Sequence, residues 1–322
     1  MTFNILSTSP TFGYYANEPL EYLKNHGCKV DLVPRGKKMS EEELRENIRE
    51  CNAMIVGVEH ITESIIQASK KLKVIAKHGA GVDNIDLEAA SGKGIVVFSA
   101  PGANSEAVAD LTIGLFLSLA RNIPFADRSV KGGGWPRIVG TQLNGKVLGI
   151  IGLGQIGKKV AKRALGFDMR VLAYDVFKDE SYSQKCGITY LSLDEVLSKS
   201  DFLSIHVPLT LSTRRLIDER KLRLMKEGAF LVNISRGDIV DEEALYQVLK
   251  EGKIRAAALD VFYQEPPKES PLLTLDNVIV TPHMGGYTFE ALKETGMICA
   301  RGIIDVLEGR RPQFIVNPEV LK

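Results

Sequence analysis

The sequence predicts two α/β domains, each built on a doubly wound parallel sheet. Three observations carry that prediction. The 322 residues exceed what a single core usually holds. Short β-rich runs alternate with helical patterns from end to end. The alternation comes as two series, and the second opens on a glycine-rich turn, "GLGQIG".

In chain order, the first series is "FNILS", "CKVDLV", "AMIVG", "LKVIAK" and "GIVVFS", all before residue 100. "SAPGANSEAVAD" interrupts it: Pro101 and Gly102 end the strand, and Asn104 or Ser105 can cap the helix that follows. The second series is "KVLGII", "RVLAYD", "DFLSIHV", "AFLVNI", "IRAAALDV" and "NVIVT", separated by helical segments such as 192–199 and 241–251. Beyond it, "GGYTFEALKETGMICARGIIDVLEGRRP" predicts a helix capped by Thr288 and stopped by Gly309 and Pro312. These breaks predict a discontinuous domain, residues 1–100 plus 287–322, and a second domain, 101–286. If the last helix packs back on the first domain, the chain crosses twice and forms a double hinge around a cleft.

Composition narrows the function classes. Hydrophobic residues make up 44% and charged residues 25%, with no like-charge block, so the whole chain is expected to fold. Forty-one basic against 40 acidic residues leave a net charge of +1, which favours neither nucleic acid nor an anionic membrane. The most apolar helical run, "LTIGLFLSLA" at 111–120, is too short to span a bilayer and is flanked by Asp110 and Arg121. The amino terminus lacks the basic and apolar regions of a secretion signal. Cys28, Cys51, Cys186 and Cys299 are scattered, without CxxC or Cys/His pairing, so neither a disulfide framework nor a metal site is expected, and a reducing cytoplasm fits.

The second series carries a phosphate-binding pattern. "LGIIGLGQIGKKVAKRAL" sets Gly152, Gly154 and Gly157 directly after an apolar strand and at the start of a helix. Glycines there permit a tight turn, close backbone approach to a pyrophosphate and close helix packing, while the helix amino terminus favours the anion. Three glycines alone are a weak signal. Here the strand precedes, the helix follows, and Asp175 ends the next strand, "RVLAYD", at the spacing of a ribose ligand. Its charge would repel a 2′-phosphate, so NAD is expected in preference to NADP.

Ligands of open parallel sheets lie beyond the carboxyl ends of the strands. Arg236 follows "AFLVNIS", Asp260 ends "IRAAALD", Glu265 stands a few residues further on, and His283 follows "NVIVTP". Such a set suits proton transfer coupled to hydride transfer: a histidine donates the proton, a glutamate fixes its ring, and an arginine fork binds a carboxylate beside the carbonyl. Of the five histidines, His60, His78 and His206 also follow strands and His26 lies in a turn, so position alone does not select His283. Glu265 on the adjacent strand end does, with Pro266 and Pro267 stiffening its loop.

Through "KHGAGVDNID", "GIIGLGQIG", "NISRGDIVDEEAL", "LDVFYQEPP" and "TPHMGG", the chain resembles the D-isomer-specific 2-hydroxyacid dehydrogenase family along nearly its whole length. The resemblance implies a Rossmann NAD-binding domain and a flavodoxin-like substrate domain, to which the final helix returns. It makes Arg236 the ligand of the substrate carboxylate and carbonyl, Glu265 the partner of the acid-base His283, and Asp260 a neighbour of the nicotinamide. It also implies cofactor contacts at Gln155, Ile156, His206, Pro208, Thr213, Ile234, His283 and Gly285, beside the three glycines and Asp175.

On the substrate side, Gly79, Ala80, Gly81 and Val82 follow a strand and can expose backbone N–H groups as a carboxylate nest. Lys77 and His78 stand beside it and could meet a phosphate. Within the family the chain most resembles 3-phosphoglycerate dehydrogenases without a regulatory domain, which implies 3-phosphoglycerate and 3-phosphohydroxypyruvate, a role in serine biosynthesis, and no serine feedback. Lys77 stands where those enzymes often have arginine, and "HMGG" differs from their serine-containing form, so a glyoxylate or hydroxypyruvate reductase is the alternative. A non-catalytic NADH-sensing protein of the same fold is the reading from a different class. "KGGGWPRIVGTQLNGK" holds the only tryptophan, Trp135, and the resemblance implies that the 121–145 arm and the NAD-binding domain form a homodimer.

Overall fold

A computed structural model describes every residue except Met1, Arg35, Lys37, Lys38 and Lys322. The chain divides into two compact units, Met1–Asn104 with Gly286–Lys322, and Ser105–Gly285. The crossings thus fall a few residues from the breaks read in the sequence. One reason is visible at Asn104: its side chain lies against Gly286, where a Cβ would come within 3.1 Å of the amide nitrogen.

The first unit holds strands β1 (Phe3–Ser7), β2 (Cys28–Leu32), β3 (Ala53–Val56), β4 (Val74–Lys77) and β5 (Val96–Phe98), all parallel, in the order β2-β1-β3-β4-β5. This is the flavodoxin-like order. β3 is buried along its whole length, as a strand covered on both faces by helices must be. The last helix, Phe289–Leu307, packs in this unit against the helix Glu18–Asn25 and β4. Two glycines make the approach possible: a Cβ on Gly302 would fall 2.5 Å from the Phe98 ring, and one on Gly296 would fall 2.7 Å from Pro19.

The second unit holds β6 (Val147–Ile151), β7 (Arg170–Tyr174), β8 (Thr189–Tyr190), β9 (Phe202–Ile205), β10 (Ala229–Asn233), β11 (Ile254–Leu259) and β12 (Val278–Val280). Their order is β12-β11-β10-β9-β6-β7-β8, all parallel. The strand order reverses at β6, the switch point where such sheets take nucleotides. The two-residue β8 is not foreseen in the sequence, because it is too short to show a period. The apolar helix Ser105–Ala120 buries ten of its residues, Phe116 among them, against this sheet and the helix Gln155–Leu165. Among the described residues no single helix is long and apolar enough to cross a membrane.

Candidate active site

The glycine turn between β6 and the helix Gln155–Leu165 gives each glycine a separate task. Gly152 has φ +94°, and a Cβ there would meet the His206 carbonyl at 2.7 Å. A Cβ on Gly157 would fall 2.1 Å from the Gly152 carbonyl oxygen. Gly154 differs: a Cβ there meets nothing within 4 Å, so the open space belongs to whatever approaches the turn. Gln155 and Ile156 begin the helix, whose first N–H groups lack intrahelical partners and whose first turn holds no acidic side chain. Asp175, just past β7, accepts from Leu153 N at 2.7 Å and from Phe177 N at 2.9 Å, which fixes its carboxylate beside the turn. Residues 152–157 and Asp175 therefore fit the pyrophosphate and ribose of a dinucleotide.

His206 follows β9. Its Nε2 lies 2.7 Å from Ser204 Oγ, and burial pushes its pKa down to about 3, so the ring is neutral. Its Nδ1 is buried without a partner among the described residues. Pro208 and Thr213 close the next loop on itself: Thr213 Oγ1 donates to the Pro208 carbonyl at 2.6 Å and accepts from Thr210 N at 2.7 Å.

The strand ends of β10, β11 and β12 bring Arg236, Glu265 and His283 to one edge of the sheet. His283 Nδ1 is 2.7 Å from Glu265 Oε2, with the two side chains 46% and 38% exposed, so the pair is formed yet reachable. Burial would raise the Glu265 carboxyl, but the His283 hydrogen bond and charge, the Phe262 N–H and the Arg236 charge together hold it below the usual carboxylate range. Arg236 leads into the short turn Gly237–Ile239, with Nη1 donating to the Ser235 carbonyl at 2.7 Å. Gly237 lets that turn press on the Glu265 loop: a Cβ would lie 1.9 Å from the Phe262 carbonyl carbon.

Asp260 takes a structural task here. It is 1% exposed, and its oxygens accept from Thr281 Oγ1 at 2.5 Å, Met284 N at 2.9 Å and Gly285 N at 2.8 Å. Its backbone carbonyl also accepts from His283 N at 2.9 Å. Its carboxylate thus anchors the histidine loop and is met by three donors, which is compatible with the place beside the nicotinamide that the family resemblance implies. Gly285 is small because Ile234 and the Asp260 carboxylate each lie 3.2 Å from where its Cβ would be. Sequence reasoning missed Asn233, Gly237 and Thr281. Gly237 was legible as the glycine after the arginine, and Asn233, whose side chain bonds Ser235 and the Arg236 carbonyl, as a local turn residue; Thr281 gave no signal, because its partner Asp260 ends another strand.

Within the first unit, two expected phosphate ligands are engaged elsewhere. Lys77 Nζ donates to the Gly57 carbonyl at 2.5 Å and to Asn84 Oδ1 at 2.7 Å. His78 is corrected more firmly: its Nδ1 lies 3.0 Å from Ser9 Oγ, its ring meets Phe12 edge-on, and its Nε2 is buried. Burial first, then the Lys77 charge, pushes its pKa down to about 4, so it offers an anion no positive charge. In the nest, Gly79 N is taken by the Lys77 carbonyl at 2.9 Å. The N–H groups of Ala80, Gly81 and Val82 donate to no group among the described residues.

Fold and site together define an α/β protein built to hold a dinucleotide, with a histidine–glutamate pair at the same sheet edge. The family model for the NAD binding domain of D-isomer specific 2-hydroxyacid dehydrogenases matches residues 113–285. The chain is 49% identical over 293 residues to a D-3-phosphoglycerate dehydrogenase of Methanocaldococcus jannaschii, covering 90% of this chain and 56% of that one. It is 43% identical over 294 residues to a hydroxypyruvate reductase of Thermotoga maritima, covering 88% of this chain and 94% of that one. A D-lactate dehydrogenase from Aquifex aeolicus, solved with NAD and lactic acid, superposes with a TM-score of 0.85 at 31% identity, covering 98% of this chain and 99% of that one. The chain belongs to the D-isomer specific 2-hydroxyacid dehydrogenase family. It spans little more than half the length of the phosphoglycerate dehydrogenases it matches.

Proposed function

We propose that the protein interconverts a D-2-hydroxy acid and its 2-oxo acid with NAD. The observation that carries this reading is the His283–Glu265 pair at 2.7 Å, with Arg236 close enough to help hold Glu265 ionised. When bound, NAD supplies or accepts the hydride. Arg236 binds the substrate carboxylate and polarises the adjacent carbonyl. Glu265 holds His283 Nδ1, so proton transfer to the developing alkoxide falls to Nε2. Asp175 favours a free ribose over a 2′-phosphate, hence NADH over NADPH. The remaining cofactor contacts, at Gln155, Ile156, His206, Pro208, Thr213, Ile234 and Gly285, rest on the family resemblance. So does the carboxylate nest at Gly79, Ala80 and Gly81.

The proposed substrate is 3-phosphoglycerate with 3-phosphohydroxypyruvate, supported by the 49% identity to the Methanocaldococcus enzyme. A specific observation favours a second reading, an unphosphorylated hydroxypyruvate or glyoxylate: Lys77 already holds Gly57 and Asn84, and His78 is neutral. Steady-state assays with phosphohydroxypyruvate, hydroxypyruvate and glyoxylate, each with NADH and NADPH, separate them. On the first reading, Lys77→Ala weakens phosphohydroxypyruvate binding by about 1.5–3 kcal/mol and barely affects glyoxylate. Equal losses on both, or no turnover of the phosphorylated acid, select the second. No turnover of any 2-oxo acid would leave an NADH-binding protein. We further infer a homodimer through the 121–145 arm and, from the four free cysteines, a cytoplasmic setting.

A further inference from the structure

We propose that Asn233 is a positioning residue for Arg236, setting the direction of the guanidinium fork without touching substrate. The inference rests on the proposed reduction of 2-oxo acids. Asn233 is the last residue of β10 and is 1% exposed. Its Oδ1 accepts twice from Ser235, from N at 3.1 Å and from Oγ at 2.9 Å, while its Nδ2 donates to the Arg236 backbone carbonyl at 2.9 Å. Every one of these bonds ends on the two residues that aim the arginine.

A carboxylate cannot do this work. Asp would keep the acceptor, lose the donor and bury a charge; Ser would be too short to reach both partners. The backbone of Asn233 adds a second tie: its carbonyl accepts from Asp260 N at 3.0 Å, and the Asp260 carbonyl accepts from His283 N at 2.9 Å. Asn233 therefore stands where the arginine turn and the histidine loop share one register. The Arg236 backbone at φ −143°, ψ 143° is extended, so nothing local in its own residue sets the turn; the buried amide does.

The test is a double-mutant cycle with NADH and the best 2-oxo acid. Asn233→Ser in the wild-type background is expected to raise KM for the oxo acid about tenfold while leaving KM for NADH unchanged. In the Arg236→Ala background the same change is expected to alter kcat/KM less than twofold, because the residue it acts through is gone. Equal losses in both backgrounds would overturn the positioning role. Ser235→Ala, which removes one of the three bonds at a half-buried site, serves if Asn233→Ser does not fold, with a KM rise of about two- to fivefold expected and an unchanged KM overturning the proposal. A crystal structure of the Asn233→Ser protein is a readout independent of turnover: a displaced Arg236 guanidinium supports the role and an unmoved one overturns it. An inert wild type would instead overturn the reading of function.

Discussion

At His283 the backbone is left-handed, φ +51°, a conformation that histidine tolerates better than most residues but still at some cost. The Asp260 carboxylate, bonded to Thr281, Met284 and Gly285, holds the chain there and turns the ring to Glu265. His283→Asn removes the proton donor and leaves the glycine turn untouched, so kcat should fall by about 10²–10⁴-fold with NADH affinity retained by calorimetry. Near-normal turnover in that variant would remove the acid-base assignment. Glu265 carries a pH prediction. Its folded pKa is depressed, so its ionic contact with His283 is fully present above the ordinary value of about 4.3 and is lost only as pH falls through the lower, folded value. Reductive turnover should therefore persist on the acid side until below about pH 4. Glu265→Gln should lower kcat by about 10–10²-fold, since the carboxylate that holds His283 Nδ1 is gone. Turnover at the wild-type level in that variant would mean that the carboxylate is dispensable.

Among the elements, the helix Phe289–Leu307 shows packing overriding intrinsic preference. Gly302 sits in its interior, where alanine would be favoured by about 1 kcal/mol on helix propensity alone. A Cβ there, however, lies 2.5 Å, 2.6 Å and 3.1 Å from three atoms of the fully buried Phe98 ring. Overpacking of this kind costs about 1–3 kcal/mol, so Gly302→Ala should be destabilising despite the better propensity. A thermal or urea melt showing a gain in stability would mean that helix and β5 can part without cost. Gly237 works the same way between two loops, joining the arginine turn to the loop of Glu265. The hydrophobic runs made these helices and strands readable, and most boundaries fell within a few residues of the structure. β8 escaped because two residues show no period, and the position of the crossings was settled by side-chain contacts such as Asn104 on Gly286.

For the molecule as a whole, the 121–145 arm is one stretch that the fold leaves without cover. The helix Ile123–Lys131 buries none of its residues, and Trp135 and Val139 are 85% and 83% exposed. Apolar groups so exposed in one stretch suit the homodimer interface proposed above, a second copy being the occupant the family resemblance implies. Light scattering should give twice the chain mass for the wild type, and Phe125→Glu, which places a charge on the half-exposed face of that helix, should shift it toward the monomer. A monomeric wild type would end the homodimer reading.

By itself the sequence determined the two parallel-sheet series and the glycine turn with Asp175, because each follows from local spacing: period, strand end, turn. What only the tertiary structure decided is which strand-end groups meet. His78 and His283 look alike along the chain, yet one is packed against Phe12, Ser9 and Thr11 and stays neutral, while the other meets a carboxylate. Lys77 turned to Gly57 and Asn84, and Asp260 became an anchor. Their partners come from other strands and loops, brought close by sheet order, and hydrogen bonds across that order have no signature in linear spacing.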